Sequence, residues 1–189
     1  MALYEALLIV HIIAGSLALT SALVALAIKT LDAAHRWHVH SGTAFLWGMI
    51  VVFITAVPLA VIEANTFLFV IAIFSVYLAL SGWRYATYRR GRPAAFDWVS
   101  AGVMVVTSTA MVVLGVFILT GGEMIGLVLI AFGGIGAALS SADLRTLGAG
   151  RIDSQRRIAA HLTRMLAGTI ATITAFLVTN VTFEPAFLL

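Results

Sequence analysis

Apolar residues run along the chain in long stretches separated by short polar breaks, and a helix crossing the roughly 30 Å hydrocarbon core of a bilayer needs about 20 of them in a row. Six such stretches stand out, at 4–28, 40–62, 66–87, 98–120, 123–142 and 158–181. They predict an all-α, polytopic membrane protein, one six-helix transmembrane bundle spanning 1–189. The first stretch is expected to remain as a helix, because Met1 to Tyr4 places no basic region ahead of it and it is too long for the core of a signal peptide. The breaks at Glu63 to Asn65 and at Gly121 and Gly122 are so short that stretches two and three, and four and five, should pack as antiparallel neighbours.

Polar and small residues inside these stretches are not scattered. In the last one, His161, Arg164 with Met165, Gly168, Thr172, Ala175 and Thr179 share a helical face, opposite Leu166, Ile170, Ile173 and Leu177. The first face suits close helix approach and the second suits lipid. The first stretch carries His11, Gly15, Ala18, Ala22 and Ala25 on one side, and the fifth carries Leu129, Gly133, Gly136 and Ser140 before ending at Asp143. Ser100, Met104, Ser108, Met111 and Gly115 line one side of the fourth, where the thioethers are expected to fill gaps in packing rather than to bind metal. Pro58 removes one intrahelical bond from the second stretch and predicts a kink there.

Composition agrees with the pattern. The chain is 62% hydrophobic and 10% charged, against about 25% charged in ordinary soluble domains, and its mean hydropathy is +1.09. With no cysteine, disulfides, thiolate metal sites and cysteine nucleophiles are excluded. All 11 basic residues fall on one side of the six-span topology. Lys29, Arg36, Arg84, Arg89, Arg90, Arg92, Arg145, Arg151, Arg156, Arg157 and Arg164 mark that side as cytoplasmic, with both termini outside and the chain in the inner (plasma) membrane. Glu5, Glu63, Glu123 and Glu184 lie on the outer side, and Asp32, Asp97, Asp143 and Asp153 on the inner. The positive charge is thereby explained without nucleic acid, and the expected partners are the lipid bilayer and either a second copy of the chain or another membrane subunit. Trp37, Trp83, Trp98, Tyr85 and Tyr88 are expected in an interfacial aromatic belt. The run RYATYRRGRP is expected to meet anionic lipid, and Asp97 to cap the fourth helix.

Ionisable groups at membrane depth need partners and mark functional sites by default. His161 and Arg164 are such groups. Asp143 should lie at the same depth, as should His35, His38 and His40 in the segment HRWHVHSG, expected as a loop entering the second helix. His11 lies about 27 Å along its helix from Lys29 and should be well separated from the others, bonded to Ser16 or a helix carbonyl, part of a second site, or part of a proton path. Imidazoles and a carboxylate can bind a transition metal, and two facing imidazoles can hold haem iron axially. His38, Asp143 and His161 are the candidate metal ligands; His38, His161, Arg164 and His11 are the candidate cofactor-binding residues, for a transition metal or haem b. Arg164 would hold an anion such as a propionate or pair with Asp143 as a structural ion pair.

At these residues the chain resembles a family of bacterial predicted membrane proteins classified as a domain of unknown function. The resemblance rests on His11 followed by Gly15, on His38 followed by Gly42, on Asp143, and on the block HLTRMLAGTIATITAFLVTN with His161, Arg164 and Asn180. It implies a multi-pass membrane protein with intramembrane histidines, requires only His38 of the three histidines around it, and carries no reaction. The function expected first is therefore a cytoplasmic-side His/Asp/Arg pocket binding a transition metal or haem, in an oxidoreductase role. Open beside it are a proton-coupled transporter or relay through Asp143, His161, Arg164 and His11, a metal-dependent intramembrane lipid hydrolase, and a non-enzymatic accessory subunit.

Overall fold

A computed structural model describes residues 2–31, 35–87, 93–150 and 153–180, the last three without their side chains. Of the residues singled out above, Asp32, Tyr88, Arg89, Arg90, Arg92, Arg151 and Glu184 lie outside the described residues, as do the side chains of Thr179 and Asn180. The described residues form six helices: α1 (Ala2–Thr30), α2 (His35–Ile62), α3 (Thr66–Thr87), α4 (Ala95–Thr120), α5 (Ile125–Gly148) and α6 (Ser154–Asn180). Five of them, α1 to α5, are long and apolar enough to cross a membrane. α6 is 27 residues long but carries Arg156, Arg157, His161 and Arg164 in its first turns. The chain is a helical, multi-pass membrane protein whose outward surfaces, at Ile9, Ile13, Val106, Val113 and Ile170 for example, are exposed apolar side chains suited to lipid.

Most departures from the predicted segments lie at the basic end of the bundle. α2 starts five residues earlier than its apolar run and α5 ends six residues later. The segment containing His35, His38 and His40 is thus the first turns of a helix rather than a loop. Helices continue past the hydrocarbon limit because the backbone keeps its hydrogen bonds where side chains turn polar, so hydropathy marks the apolar part and not the helix end. α2 also remains helical through Pro58. At the opposite end the turns are tight as predicted: Asn65 Oδ1 accepts the Leu68 N–H at 3.0 Å and starts α3, and Gly122 takes a φ of +92° between α4 and α5, where a side chain would be strained.

α3 is the central helix. On one side it packs with α2 and α6, on which α1 rests in turn, around Ala18, Ala22, Phe45, Leu46, Met49 and Ala79. On the other it meets the α4–α5 hairpin around Phe74, Tyr77, Leu78, Met104, Met111 and Leu129. The small-residue stripes lie where helices touch. A methyl group on Gly48 of α2 would come within 2.9 Å of the Ala18 Cβ, and one on Gly126 of α5 within 2.4 Å of the Gly115 carbonyl oxygen. Such contacts bring backbones into van der Waals range, the main source of attraction between helices in lipid. Met104 and Met111 are fully buried in this packing, which is the role expected of them.

Candidate functional site

The polar residues at the basic end separate into two clusters on different flanks of α3. The first is built on Asp143, nearly buried in the penultimate turn of α5. Its Oδ2 accepts the Tyr77 hydroxyl at 2.5 Å and its Oδ1 accepts the Tyr85 hydroxyl at 2.7 Å. Arg164 donates to the same Oδ1 from Nη2 and forms the ion pair. The guanidinium also lies 4.6 Å from the Tyr85 ring centroid, a cation–π contact, and reaches the Ala160 carbonyl at 3.2 Å and the Leu139 carbonyl at 3.4 Å. Arg164 Nε is buried without a hydrogen-bond partner among the described residues.

Tyr77, Ser81 and Tyr85 are spaced four residues apart and so form a stripe along one side of α3. Tyr85 therefore does not belong to an aromatic belt: it is 8% exposed, and its hydroxyl serves the carboxylate. Trp83 is likewise packed against the core, whereas Trp37 and Trp98 are exposed as a belt requires. Sequence reasoning missed Tyr77 and the true role of Tyr85. The four-residue polar spacing was the available signal. Among the described residues α5 and α6 make no close backbone approach, so Asp143 and Arg164 span the gap between them over the side of α3. The ion pair ties the α4–α5 hairpin to the remaining helices.

The second cluster is the imidazole pair. The ring centroids of His38 and His161 lie 6.5 Å apart at 86°. Each ring is anchored through Nδ1 to a backbone carbonyl, His38 to Ala25 of α1 at 3.0 Å and His161 to Gly82 of α3 at 2.8 Å. A carbonyl only accepts, so each Nδ1 carries a proton, and in the neutral ring Nε2 keeps its lone pair. Gly82 makes the second anchor reachable: a Cβ there would come within 2.9 Å of Met165 Cε and 3.2 Å of Arg164 Cβ, so the missing side chain lets α6 close on α3. His35 stacks on His38 with centroids 6.5 Å apart but is exposed, as is His40.

The four residues predicted to share one pocket are thus paired differently. His38 meets His161, Asp143 meets Arg164, and the carboxylate is turned to the tyrosines of α3. Among the described residues no three His, Asp or Glu side chains converge as a metal-holding group. His11 stands apart, as its depth required: its Nδ1 bonds Thr55 Oγ of α2 at 2.9 Å and the ring also meets the Val52 backbone, not Ser16.

Around both clusters, the remaining charges hold helix ends. Arg157 donates to the Tyr85 and Ala86 carbonyls at 3.2 and 3.0 Å, neutralising the C-terminus of α3. Arg84 binds Asp97 through two N–H groups at 2.6 and 2.7 Å, so this part of the basic run has a partner within the protein. Asp97 is not the N-cap of α4. Ala94 holds that position, and Asp97, three residues on, accepts the Ala94 N–H at 2.8 Å, the reaching-back half of a capping box. Ser81, Tyr85, Asp97, Ser100 and Asp143 border a cavity of about 30 Å³, room enough for a water molecule.

Fold and site together define a multi-pass helical membrane protein with a buried carboxylate–arginine–tyrosine cluster beside an anchored pair of imidazoles. No protein-family model, no curated protein and no solved structure matches the chain.

Proposed function

We propose that His38 and His161 are ligands to a transition metal or to haem iron at the cytoplasmic side of the inner membrane, and that the protein serves an electron-transfer or redox reaction there. In this proposal all six helices span, both termini are outside, and the basic residues lie in the cytoplasm, where lysine and arginine accumulate. The sixth span is tolerated because its one deep charge, Arg164, is neutralised by Asp143.

The observation that carries the proposal is the imidazole pair. An Nδ1–H held by a carbonyl is the usual outer support of a metal-binding histidine, since it fixes the ring and directs the Nε2 lone pair to the metal. Both rings have it. Two imidazoles on opposite sides of one ion, at about 2.0–2.1 Å per bond, put their ring centroids roughly 6–6.5 Å apart; the separation here is 6.5 Å. Arg164, whose hydrogen bonds go to Asp143 and to the Ala160 and Leu139 carbonyls, is in this proposal the fastening beside the pair and not a holder of the bound group. Asp143 acts in this proposal as the counter-charge that positions Arg164. A bound metal or haem would supply the one-electron chemistry; the chain would supply the two imidazole nitrogens that hold it.

The test is an absorption spectrum and an elemental analysis of one purified sample, with His161→Ala and His38→Ala beside it. A Soret band or stoichiometric metal in the wild type, lost in both variants, supports the proposal. A folded wild type with neither would remove it, and would leave His161 as a residue that only pins α6 to the Gly82 carbonyl.

A further inference from the structure

The surroundings of the imidazole pair restrict what it can hold. Given the ligand role proposed for His38 and His161, on which this inference rests, space, charge and softness narrow the bound group to one kind of ion.

The space is closed. One turn above His161, Met165 packs against the cluster of Ala22, Phe45, Leu46 and Ala79, and at the sides the rings are within hydrogen-bond reach of α1 at Ala25 and of α3 at Gly82. A porphyrin extends from its iron by roughly the rise of a helix turn, about 5.4 Å, so a haem centred between the rings would run into this core. A bare ion would not.

The charge is unfavourable to a divalent ion. Among the described residues no carboxylate completes a group with the two rings. Lys29, one turn past Ala25, Arg36, two residues before His38, and Arg157, one turn before His161, are cations, while Arg164 is neutralised by Asp143. Two neutral nitrogens leave a divalent ion its full double charge, which a cationic, low-dielectric setting penalises. Zinc, almost always four-coordinate, finds too few ligands.

The third neighbour is soft. Met165 follows His161 by four residues, and a helical side chain leans back over the preceding turn, so its thioether lies toward His161. A Cβ on Gly82 would meet Met165 Cε at 2.9 Å and Cγ at 3.4 Å. Sδ, bonded to both carbons, therefore rests at the same glycine whose carbonyl holds His161 Nδ1. Thioether sulfur selects Cu(I), and imidazole accepts it.

We propose that the pair binds one cuprous ion, with His38 Nε2, His161 Nε2 and Met165 Sδ as its ligands. This ion carries a single charge, is satisfied by two or three ligands, and is the state in which a reducing cytoplasm keeps copper.

The full chain in detergent is titrated anaerobically with Cu(I) presented as its bicinchoninate complex, and in parallel with Zn(II), Fe(II) and haemin; the copper-loaded sample is read by X-ray absorption. Expected are one Cu(I) per chain drawn from the chelator, no stoichiometric uptake of the other three, and a sulfur scatterer beside the nitrogens. His38→Ala should abolish the transfer. Met165→Leu, which keeps the core filled, should remove the sulfur signal and weaken binding by about tenfold or more, since even an outer-shell partner of a ligand is worth roughly 10–100-fold. His40→Ala, exposed, should change neither. Zinc, iron or haem bound in preference to Cu(I) and lost in His38→Ala overturns the copper inference and leaves the ligand role of the pair standing, whereas a folded wild type that binds none of the four overturns both. Cu(I) binding that survives in folded His38→Ala, or an unchanged affinity in folded Met165→Leu, also contradicts the proposed ligand set.

Discussion

The two clusters at the basic end contain similar residues at similar depth and are built on opposite principles. In the carboxylate cluster both Asp143 oxygens are occupied, by two tyrosine hydroxyls and a guanidinium. In the imidazole pair each ring gives one nitrogen to the backbone and keeps the other. The difference follows from charge. A carboxylate and a guanidinium in a low-dielectric bundle must be paired and largely hydrogen-bonded, because an isolated buried charge is prohibitively costly. A neutral imidazole carries no such demand, so it can be placed with a lone pair to spare. The first cluster is therefore a fastening between α5 and α6, and the second retains the capacity to bind.

The largest effect expected from breaking this contrast is at the fastening. Asp143→Asn or Arg164→Met alone leaves an uncompensated buried charge and should destabilise the protein by about 3–5 kcal/mol. Reversible unfolding in detergent should show it, and the double variant should lose markedly less than the sum of the singles; additive losses would mean that the two side chains do not depend on each other. Next come Tyr77→Phe and Tyr85→Phe, each removing one hydroxyl from a charged acceptor, at about 1.5–3 kcal/mol. Tyr85→Phe keeps the ring under Arg164 and should lie toward the lower end. Arg157→Ala frees two carbonyls at the α3 terminus and should cost about 1 kcal/mol, seen as a small fall in Tm. The smallest effects belong to His35→Ala and His40→Ala: both are exposed, stability should move by no more than about 0.5 kcal/mol, and any bound metal should stay.

Much of this arrangement could be read from residue order because membrane helices are specified by simple signals. Apolar length located all six helices, and the small-residue stripes of α1, α5 and α6 marked the faces that pack. The pairing of Asp143 with Arg164 followed from the need to neutralise charge at depth. What could not be read was the centre of the bundle. The helices α1 to α5 are all strongly apolar, so hydropathy does not distinguish α3 from its neighbours. Without that, Tyr85 looked like an interfacial aromatic, Tyr77 drew no reading, and Asp143 was expected beside His38 and His161, whereas its oxygens face Tyr77, Tyr85 and Arg164. The helical state of His35 to His40 was hidden for a related reason, as hydropathy stops at the lipid boundary while backbone hydrogen bonding does not.

The contrast between a closed fastening and an open pair is tested most directly by measuring metal or haem per chain, in parallel, for wild type, His38→Ala, His161→Ala and the compensated double variant Asp143→Leu with Arg164→Leu. Full occupancy in the wild type, none in either histidine variant and retention in the folded double variant is the predicted result. Occupancy that disappears with Asp143 and Arg164 but persists without His38 or His161 would contradict it.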